Sequence, residues 1–492
     1  MKKIIMLTTL LLVTFNVSAQ QDKKARDVIA AYETAFKNRD FEKMKTLLAD
    51  DFSIAVYETP STDRLFEGIL ERYYLLDSLN VKSVNTVEGE TRVQVTHFFK
   101  DQKPHTSTIV LNSGHKIKYA DLLDQLYKVD RYQTSELIVK IPFEMLHESI
   151  AVKLKLNDSE DEFTMLFDTG ADGMALSPTA AAKANIKNIR DHSTSVVGGT
   201  ANVKISSGNT IRVGELSIPD QNLVVFPQIS KGFDGIFGGN FLSKYITRVD
   251  FDTQKIELYS FGEYKGIGTP TPTSYASGVP VIECDIKLNN GKEAQGSYVF
   301  DTGAGYNIIS FGPFVHEYKL DEEFKYDYLS TNYSVGHATQ TMMGNYSQLQ
   351  FSEFTFYGVS GALQAYQEDN KNWASNDGSI GIEVIKRFNF TVDLLHKVIY
   401  LEPNSNYKKP FDFTVSGLII GFDADGEMQV KTVIQGSKAH ASGIQQGTTI
   451  HAINGYTAEE LQLPENINLI KTSNAPLELR VTRGDQSMQI TI

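Results

Sequence analysis

The sequence predicts a multidomain protein that is mainly β, and three observations support this fold class. The chain has 492 residues, enough for three or four domains, and 41% of them are hydrophobic, which is ample for packed cores. A short motif occurs twice, at residues 167–171 and 300–304, and each copy follows an apolar run typical of a buried strand. The N-terminal region combines helical patterns with alternating strand patterns, which indicates a separate α+β domain.

The first residues have the pattern of a secretory signal peptide, which we place at Met1–Ala19. Lys2 and Lys3 precede the apolar run IIMLTTLLLV, and a small-residue cleavage site follows at Val17–Ala19. The single cysteine, Cys284, lies far from that site, so we expect neither a lipid anchor nor an intrachain disulfide. No later run of ~18 apolar residues predicts a membrane span. We therefore expect a secreted or periplasmic protein.

The charge and the motif content argue against several functional classes. The formal net charge is −13, which disfavours nucleic acid as a partner because that role needs a basic face. The ten histidines form no HxxH or HExxH pattern, and no G-x-S-x-G occurs, so neither a zinc peptidase nor a serine hydrolase is indicated. We expect no metal and no cofactor. The sequence leaves the oligomeric state open.

Residues 22–132 are predicted to form the α+β domain. Two helical patterns, KARDVIAAYETAFKNR and DFEKMKTLLADDF, each carry an apolar stripe, and strand patterns such as RVQVTHFF and STIVLN follow. This order resembles an NTF2-like cone of the SnoaL type. Such cones bind ligands or mediate dimerisation. Because no cluster of acidic residues or histidines is present, we favour a structural role.

The repeated motif places two carboxylates in equivalent positions. It reads Phe-Asp-Thr-Gly-Ala in both copies, so Asp168 and Asp301 each lie where a buried strand turns into a loop. Carboxylates presented in this way can meet across an internal two-fold axis, where like charges about 3 Å apart share one proton. One carboxylate can then act as a base on water while the other is an acid toward a carbonyl oxygen.

The similarity between the two halves extends beyond this motif, which alone would be an ordinary turn. The further landmarks, in the same order in both halves, are Leu154–Asn157 with Ile286–Asn289, Val197–Ala201 with Val335–Thr339, Gly235–Gly238 with Gly378–Gly381, and Val249–Leu258 with Val392–Leu401. Turn composition does not produce such an order twice, so we infer a duplication. Ser379 breaks the pattern where the first half has Ile236, and we expect weaker packing there without an effect on the chemistry.

These residues resemble those of single-chain, retropepsin-like aspartic peptidases. The resemblance implies two β-barrel lobes, at 134–262 and 281–402, joined by a linker at 263–280 that is rich in Gly, Pro, Thr and Ser. It implies a catalytic dyad of Asp168 and Asp301. The residues implied to support the dyad are Thr169, Gly170, Thr302 and Gly303, and the flap residues implied to hold an extended peptide are Gly198, Gly199, Gly336 and His337.

The residue after each Asp-Thr-Gly distinguishes this chain from gastric-type relatives. Ala171 and Ala304 lack the hydroxyl that helps to stabilise the ionised dyad in those relatives. The resemblance therefore implies a pH optimum in the weakly acidic to neutral range.

Residues 411–492 follow the pattern of a PDZ domain of the bacterial protease type, after a joint at 403–410. The matching stretches are Val433–Ala439, Ser442–Gly447 and Ile450–Gly455. The resemblance implies that a loop with Gly417, Leu418 and Ile419 receives a peptide C-terminus. The alternative, a domain that only packs on the lobes, stays open.

We predict an exported aspartic endopeptidase that hydrolyses peptide bonds with an activated water and acts on polypeptide substrates. The alternative is a catalytically silent, protease-like protein that binds peptides. The intact Asp and Thr residues in both motifs argue against that alternative. A small-molecule enzyme seated in the N-terminal domain is a third class, for which the sequence offers no candidate residues.

Overall fold

The computed structural model describes residues 22–492, except for 88, 188, 197–198, 240, 335–336, 369–375, 424, 473–474 and 484–485. The predicted signal peptide lies outside the described residues. The chain forms two compact units: the described residues up to Ser135 with Phe261–Tyr264, and Glu136–Ser260 with Lys265–Ile492. Strands dominate, which confirms the mainly β fold class. No helix in the described ranges is long and apolar enough to cross a membrane.

The first unit packs helices against one antiparallel sheet. Its helices span residues 22–38, Phe41–Lys45, Ser61–Arg72 and Asp121–Asp124, and a 3-10 turn covers Gln125–Tyr127. Its strands, Leu76–Val87, Glu90–Phe99, His105–Leu111 and Ile117–Ala120, pair in chain order. Apolar side chains of the helices and of one sheet face form a single core. The likeness to an NTF2-like cone stays a prediction.

The helices of this unit differ from the predicted ones in extent and in number. The second predicted helix ends early, at Lys45. Leu48 forms a β-bridge with Ile117 of the sheet, which requires an extended backbone where the helix was predicted to continue. Sequence reasoning missed the helix Ser61–Arg72. Its buried residues include Phe66, Ile69 and Leu70, a helical spacing that could have revealed it.

His97 makes the first unit sensitive to acid. Its ring is 0% exposed and stacks on Phe99 at a centroid distance of 5.9 Å. Burial lowers the pKa of His97 to about 4. Below pH 6.5 the unfolded chain binds a proton that the folded protein does not, so stability falls as the pH drops from 6.5 to about 4. The full shift corresponds to about 3 kcal/mol.

We expect faster hydrogen exchange, corrected for intrinsic rates, in the strand Glu90–Phe99 of the full-length protein at pH 4.5 than at pH 7. In His97→Phe this acid sensitivity should be largely lost, because the ring no longer titrates. An unchanged pH dependence in His97→Phe would contradict the assignment to this residue.

The second unit contains two closed six-stranded barrels. The first comprises Ser149–Leu156, Phe163–Asp168, Met174–Leu176, Gly199–Val213, Leu216–Val225 and Gly235–Gly238, with an added strand Arg190–Val196 and the helix Pro178–Lys183. The second comprises Val281–Leu288, Glu293–Phe300, Ile308–Ser310, His337–Phe351, Phe354–Gln364 and Gly378–Ile380, with Tyr326–Ser334 added and the helices Gly312–Glu317 and Ile382–Ile385. Each barrel closes because its first strand also pairs with its long hairpin strand.

A six-stranded sheet joins the two barrels. Its strands, in spatial order, are Leu137–Leu146, Lys255–Tyr259, Ile246–Asp250, Phe388–Asp393, Val398–Pro403 and Thr269–Pro272. At its centre Thr247 faces Val392 and Arg248 faces Thr391, in antiparallel register. Thr391 lies 143 positions after Arg248, the same offset that separates Gly238 from Gly381. The pairing is therefore symmetric under the repeat, as a two-fold relation between lobes requires.

The segment predicted as an inter-lobe linker contains a strand, Thr269–Pro272, at the edge of this sheet. Pro270 and Pro272 are compatible with that position because one side of an edge strand needs no N–H donors. Thr271 is buried and faces Ile399. We predicted a linker from the proline content of this segment. The composition alone does not show that the prolines lie in an edge strand, where they are tolerated.

The C-terminal module packs directly on the second lobe. Its strands are Phe413–Val415, Leu418–Phe422, Met428–Val433, Thr449–Ile453, Tyr456–Thr457, Glu478–Arg483 and Gln486–Thr491, and its helices are Lys438–Ala441 and Pro464–Thr472, with a 3-10 turn at Glu460–Gln462. Lys471 of the second helix forms an ion pair with Asp327 of the lobe at 3.0 Å. The PDZ assignment stays a prediction.

The joint at 403–410 is fixed to the second lobe. Arg387, which is 5% exposed, donates hydrogen bonds to the carbonyl oxygens of Asn406, Tyr407, Lys409 and Pro410. Its guanidinium also lies 3.6 Å from the ring centroid of Phe411. A buried cation with this many backbone partners holds the joint in one conformation.

Candidate active site

Two equivalent strands bring Asp168 and Asp301 together. Asp168 is the last residue of Phe163–Asp168, and Asp301 directly follows Glu293–Phe300. A second strand runs parallel beside each of these, Gly235–Gly238 in the first barrel and Gly378–Ile380 in the second. Both aspartates thus lie at the carboxyl end of a strand, the edge at which parallel strands present functional side chains.

The threonine after each aspartate bonds to the opposite lobe. The backbone N–H of Thr169 donates to the Thr302 hydroxyl oxygen, and that of Thr302 donates to the Thr169 hydroxyl oxygen, both at 3.0 Å. The Thr302 hydroxyl donates to the carbonyl of Phe167 at 2.9 Å, and the Thr169 hydroxyl donates to that of Phe300. Both side chains are at most 1% exposed. These four bonds fix the two aspartate loops relative to each other.

The glycine of each motif allows the two loops to approach. A Cβ added at Gly170 would lie 2.4 Å from Cγ of Asp301, and one added at Gly303 would lie 2.2 Å from Cγ of Asp168. The N–H of Gly170 donates to Asp168 at 2.9 Å, and that of Gly303 donates to Asp301 at the same distance. Glycine is therefore required at both positions by space and not by backbone angle.

The two carboxyl groups influence each other's protonation, and both aspartates are only half-buried. Burial raises the pKa of Asp168 well above its usual value, and the charge of Asp301 raises it further. Burial also raises the pKa of Asp301, but hydrogen bonds from Asp168, Gly303 and Ser379 offset part of that rise. Such a pair holds one proton over a range of pH, which is the state that acid–base catalysis on a water molecule needs.

Ser379 contacts the dyad, at a position where the sequence led us to expect an effect on packing alone. Its hydroxyl donates to Oδ2 of Asp301 at 3.3 Å. Tyr306 is a further group near the dyad, because burial and then the charge of Asp301 raise the pKa of its phenol. The signal was present in the sequence as a polar residue in an otherwise apolar strand, but the direction of its side chain could not be read from the pattern.

The predicted flap residues lie at the turns of two long hairpins, and their side chains are only partly described. Gly199 pairs with Val196, and His337 pairs with Ser334, at the ends of the hairpin strands. Gly198 and Gly336 fall outside the described residues. The two hairpins correspond to each other in the two lobes, and their role in holding a peptide stays a prediction.

The predicted carboxylate-binding loop is a tight hairpin turn. Ser416 and Gly417 both have positive φ, 49° and 85°, and connect Val415 directly to Leu418. Two such residues suit a type I′ turn. Leu418 and Ile419 pair with Phe413–Val415 on one side and with Met428–Val433 on the other. A peptide that adds to Leu418 and Ile419 must therefore displace Phe413–Val415.

The described residues offer no candidate metal site: no group of three or more His, Cys, Asp or Glu side chains within them is arranged to hold an ion. Cys284 is buried, which raises the pKa of its thiol well above the usual value. It is therefore a poor nucleophile.

Comparison with known proteins identifies a related family for part of the chain. Residues 152–241, which include Asp168 but not Asp301, match the aspartyl protease family. No curated protein matches the chain. Among solved structures, an aspartic proteinase from Irpex lacteus is similar, with 15% sequence identity and a TM-score of 0.34, over 55% of this chain and 98% of that one. The family match over the first lobe, together with the paired aspartates, supports an aspartyl protease.

Proposed function

We propose that the protein is an exported aspartic endopeptidase in which Asp168 and Asp301 act as one catalytic unit. The observation that carries this proposal is the pair of half-buried carboxyl groups with raised pKa values, each lying against the glycine of the opposite motif and held by reciprocal threonine bonds. A pair of charged side chains that only stabilises the fold would combine a carboxylate with a cation, whereas here two carboxyl groups lie together. Two like carboxyl groups that share a proton are costly to bury and are typical of a catalytic site.

The pair can hydrolyse a peptide bond without a covalent intermediate. The ionised carboxylate accepts a proton from a water molecule, and the water oxygen bonds to the carbonyl carbon. The protonated carboxyl donates its proton to the carbonyl oxygen, which gives a neutral tetrahedral diol. When the carbon–nitrogen bond breaks, the leaving nitrogen takes the proton that the first carboxylate removed from water. A hydroxyl of the diol returns a proton to the second carboxyl group. The hairpin turns near Gly199 and His337 are proposed to cover an extended peptide.

The other parts of the chain are proposed to serve this activity. The N-terminal unit has the order of an NTF2-like cone and is proposed to be structural. The C-terminal module is proposed to be a PDZ domain that recognises substrate or a C-terminus. Strand Phe413–Val415 occupies the edge of Leu418–Phe422 that a peptide would need, which favours the alternative of a module that only packs on the lobes.

The proposal is tested by incubating purified full-length protein with a peptide library, with and without a statine-type inhibitor. Cleavage that the inhibitor blocks and that a metal chelator leaves unchanged is the expected result. Peptide binding without cleavage, in protein shown to be folded, would favour the silent peptide-binding alternative and refute the enzymatic proposal.

We expect kcat/KM to be highest in the weakly acidic to neutral range. Burial and the neighbouring charge raise the pKa of Asp168, so its proton is retained to higher pH than a free carboxyl would allow. Loss of that proton sets the basic limb of the profile, and protonation of the ionised partner sets the acidic limb. A profile with its maximum below about pH 3 would contradict the raised pKa values.

A further inference from the structure

Among the described residues, a serine hydroxyl donates to one of the two aspartates. Ala171 and Ala304 contribute no side-chain donor to either carboxylate. Ser379 donates to Oδ2 of Asp301, whereas its counterpart in the first lobe, Ile236, has no hydroxyl to offer Asp168. The strand register is the same in both lobes: Ser379 pairs with Val299, and at the equivalent positions of the first lobe Ile236 pairs with Leu166. The two aspartates therefore differ in their hydroxyl partner because of the residue type at this position, and not because the backbone differs between the lobes.

Tyr306 is a second group near Asp301. The Ser379 hydroxyl donates its one proton to Asp301, so a hydrogen bond between Tyr306 and Ser379 requires the phenol as donor. Burial, followed by the charge of Asp301, raises the pKa of Tyr306, which keeps its proton available for this bond. Hydrogen bonds in such a chain strengthen one another.

We propose that Ser379, oriented by Tyr306, holds the negative charge of the pair on Asp301 and leaves the shared proton on Asp168. This inference rests on the proposed peptidase function and assigns the two roles within it. Ser379 is a positioning residue, because it acts through its hydrogen bond to Asp301. The titratable groups that act on Asp301 and on its serine partner are Asp168 and Tyr306.

The assignment gives each proton a defined path. Asp301 removes a proton from water as the water oxygen bonds to the carbonyl carbon, and Asp168 donates its proton to the carbonyl oxygen. On collapse of the diol, Asp301 protonates the leaving nitrogen as the carbon–nitrogen bond breaks, and the diol hydroxyl returns a proton to Asp168. The cycle ends with Asp301 ionised and Asp168 protonated, as it began.

The test compares the pH dependence of kcat/KM for the full-length wild type, Ser379→Ala and Ser379→Thr on one quenched fluorescent peptide. Ser379→Ala should move the acidic limb to higher pH by about half to one unit, because the ionised pair loses a donor. Ser379→Thr restores a hydroxyl and should return the limb toward the wild-type position. Tyr306→Phe should produce a smaller shift in the same direction.

Ser310→Ala is the matched control. The Ser310 hydroxyl is also buried in the second lobe, but it bonds to Tyr298 and Tyr346 at 2.8 and 2.9 Å and not to an aspartate. This variant should lose stability without a shift of the acidic limb. An acidic limb in Ser379→Ala that superimposes on that of the wild type would overturn the proposal.

A second measurement does not depend on turnover. Without its donor, Asp301 ionises less readily, so Ser379→Ala should lose more thermal stability between pH 4.5 and pH 7.5 than wild type or Ser310→Ala loses. If the wild type cleaves no peptide, the proposed function fails while this comparison still tests the hydrogen bond. Equal losses in all three proteins would refute the role of Ser379.

Discussion

Asp168→Asn and Asp301→Asn should each lower kcat/KM by roughly a thousandfold or more, and the double substitution should add little. The reason is that in the proposed mechanism the two carboxyl groups share one proton, so that either group alone lacks its acid or its base partner. The measurement is cleavage of one peptide by the wild type, both single variants and the double variant. Non-additive losses identify residues that act as a unit.

The same variants provide their own folding control. Because burial raises the pKa of Asp168, the folded protein loses stability as the pH rises from about 4 toward that raised value. An uncharged Asn avoids this cost, so Asp168→Asn should be at least as stable as the wild type at neutral pH. Substantial activity in Asp301→Asn would contradict the two-lobe site and would point to two first lobes pairing between chains.

Gly303→Ala should abolish activity, with a loss of about a hundredfold or more, while Gly305→Ala should retain it. The added Cβ at residue 303 would lie 2.2 Å from Cγ of Asp168 and 2.4 Å from one of its oxygens. Because hydrogen bonds fix both loops, the Asp168 carboxyl group itself must move away from its position against residue 303.

The control works because Gly305 lies two residues away in the same loop and has no atom within 4 Å of an added Cβ. Both proteins are compared for cleavage and for thermal unfolding. A Gly303→Ala protein that cleaves peptide at the wild-type rate would show that the close approach of the loops is not needed. Loss of activity in both variants would implicate loop flexibility instead.

The duplicated motif was sufficient to predict which aspartates meet, because a symmetric fold constrains both copies at once. Asp168 and Asp301 each follow a buried strand, and the sheet at Arg248 and Thr391 pairs in the register that the repeat implies. The resemblance to the peptidase family carried the rest of the barrel assignment, because short strands such as Met174–Leu176 and Gly378–Ile380 are buried at every residue and show no alternation.

The remaining features depend on contacts that no local pattern encodes. Whether the Ser379 hydroxyl reaches Asp301 depends on two strands that lie far apart in the chain. The edge position that makes Pro270 acceptable in a strand is set by Val398–Pro403. The pairing of Phe413–Val415 with Leu418–Phe422 depends on a two-residue turn at Ser416 and Gly417, which the resemblance to a PDZ domain had assigned to ligand binding.

The self-matching register at the centre of the inter-lobe sheet has a consequence for biosynthesis. Until Phe388–Asp393 has been made and folded, Ile246–Asp250 presents an unpaired edge that suits the equivalent strand of any neighbouring copy. Nascent or refolding chains at high concentration should therefore exchange lobes and form domain-swapped oligomers. The yield of native protein on refolding should fall steeply as the protein concentration rises, although each lobe closes its own barrel.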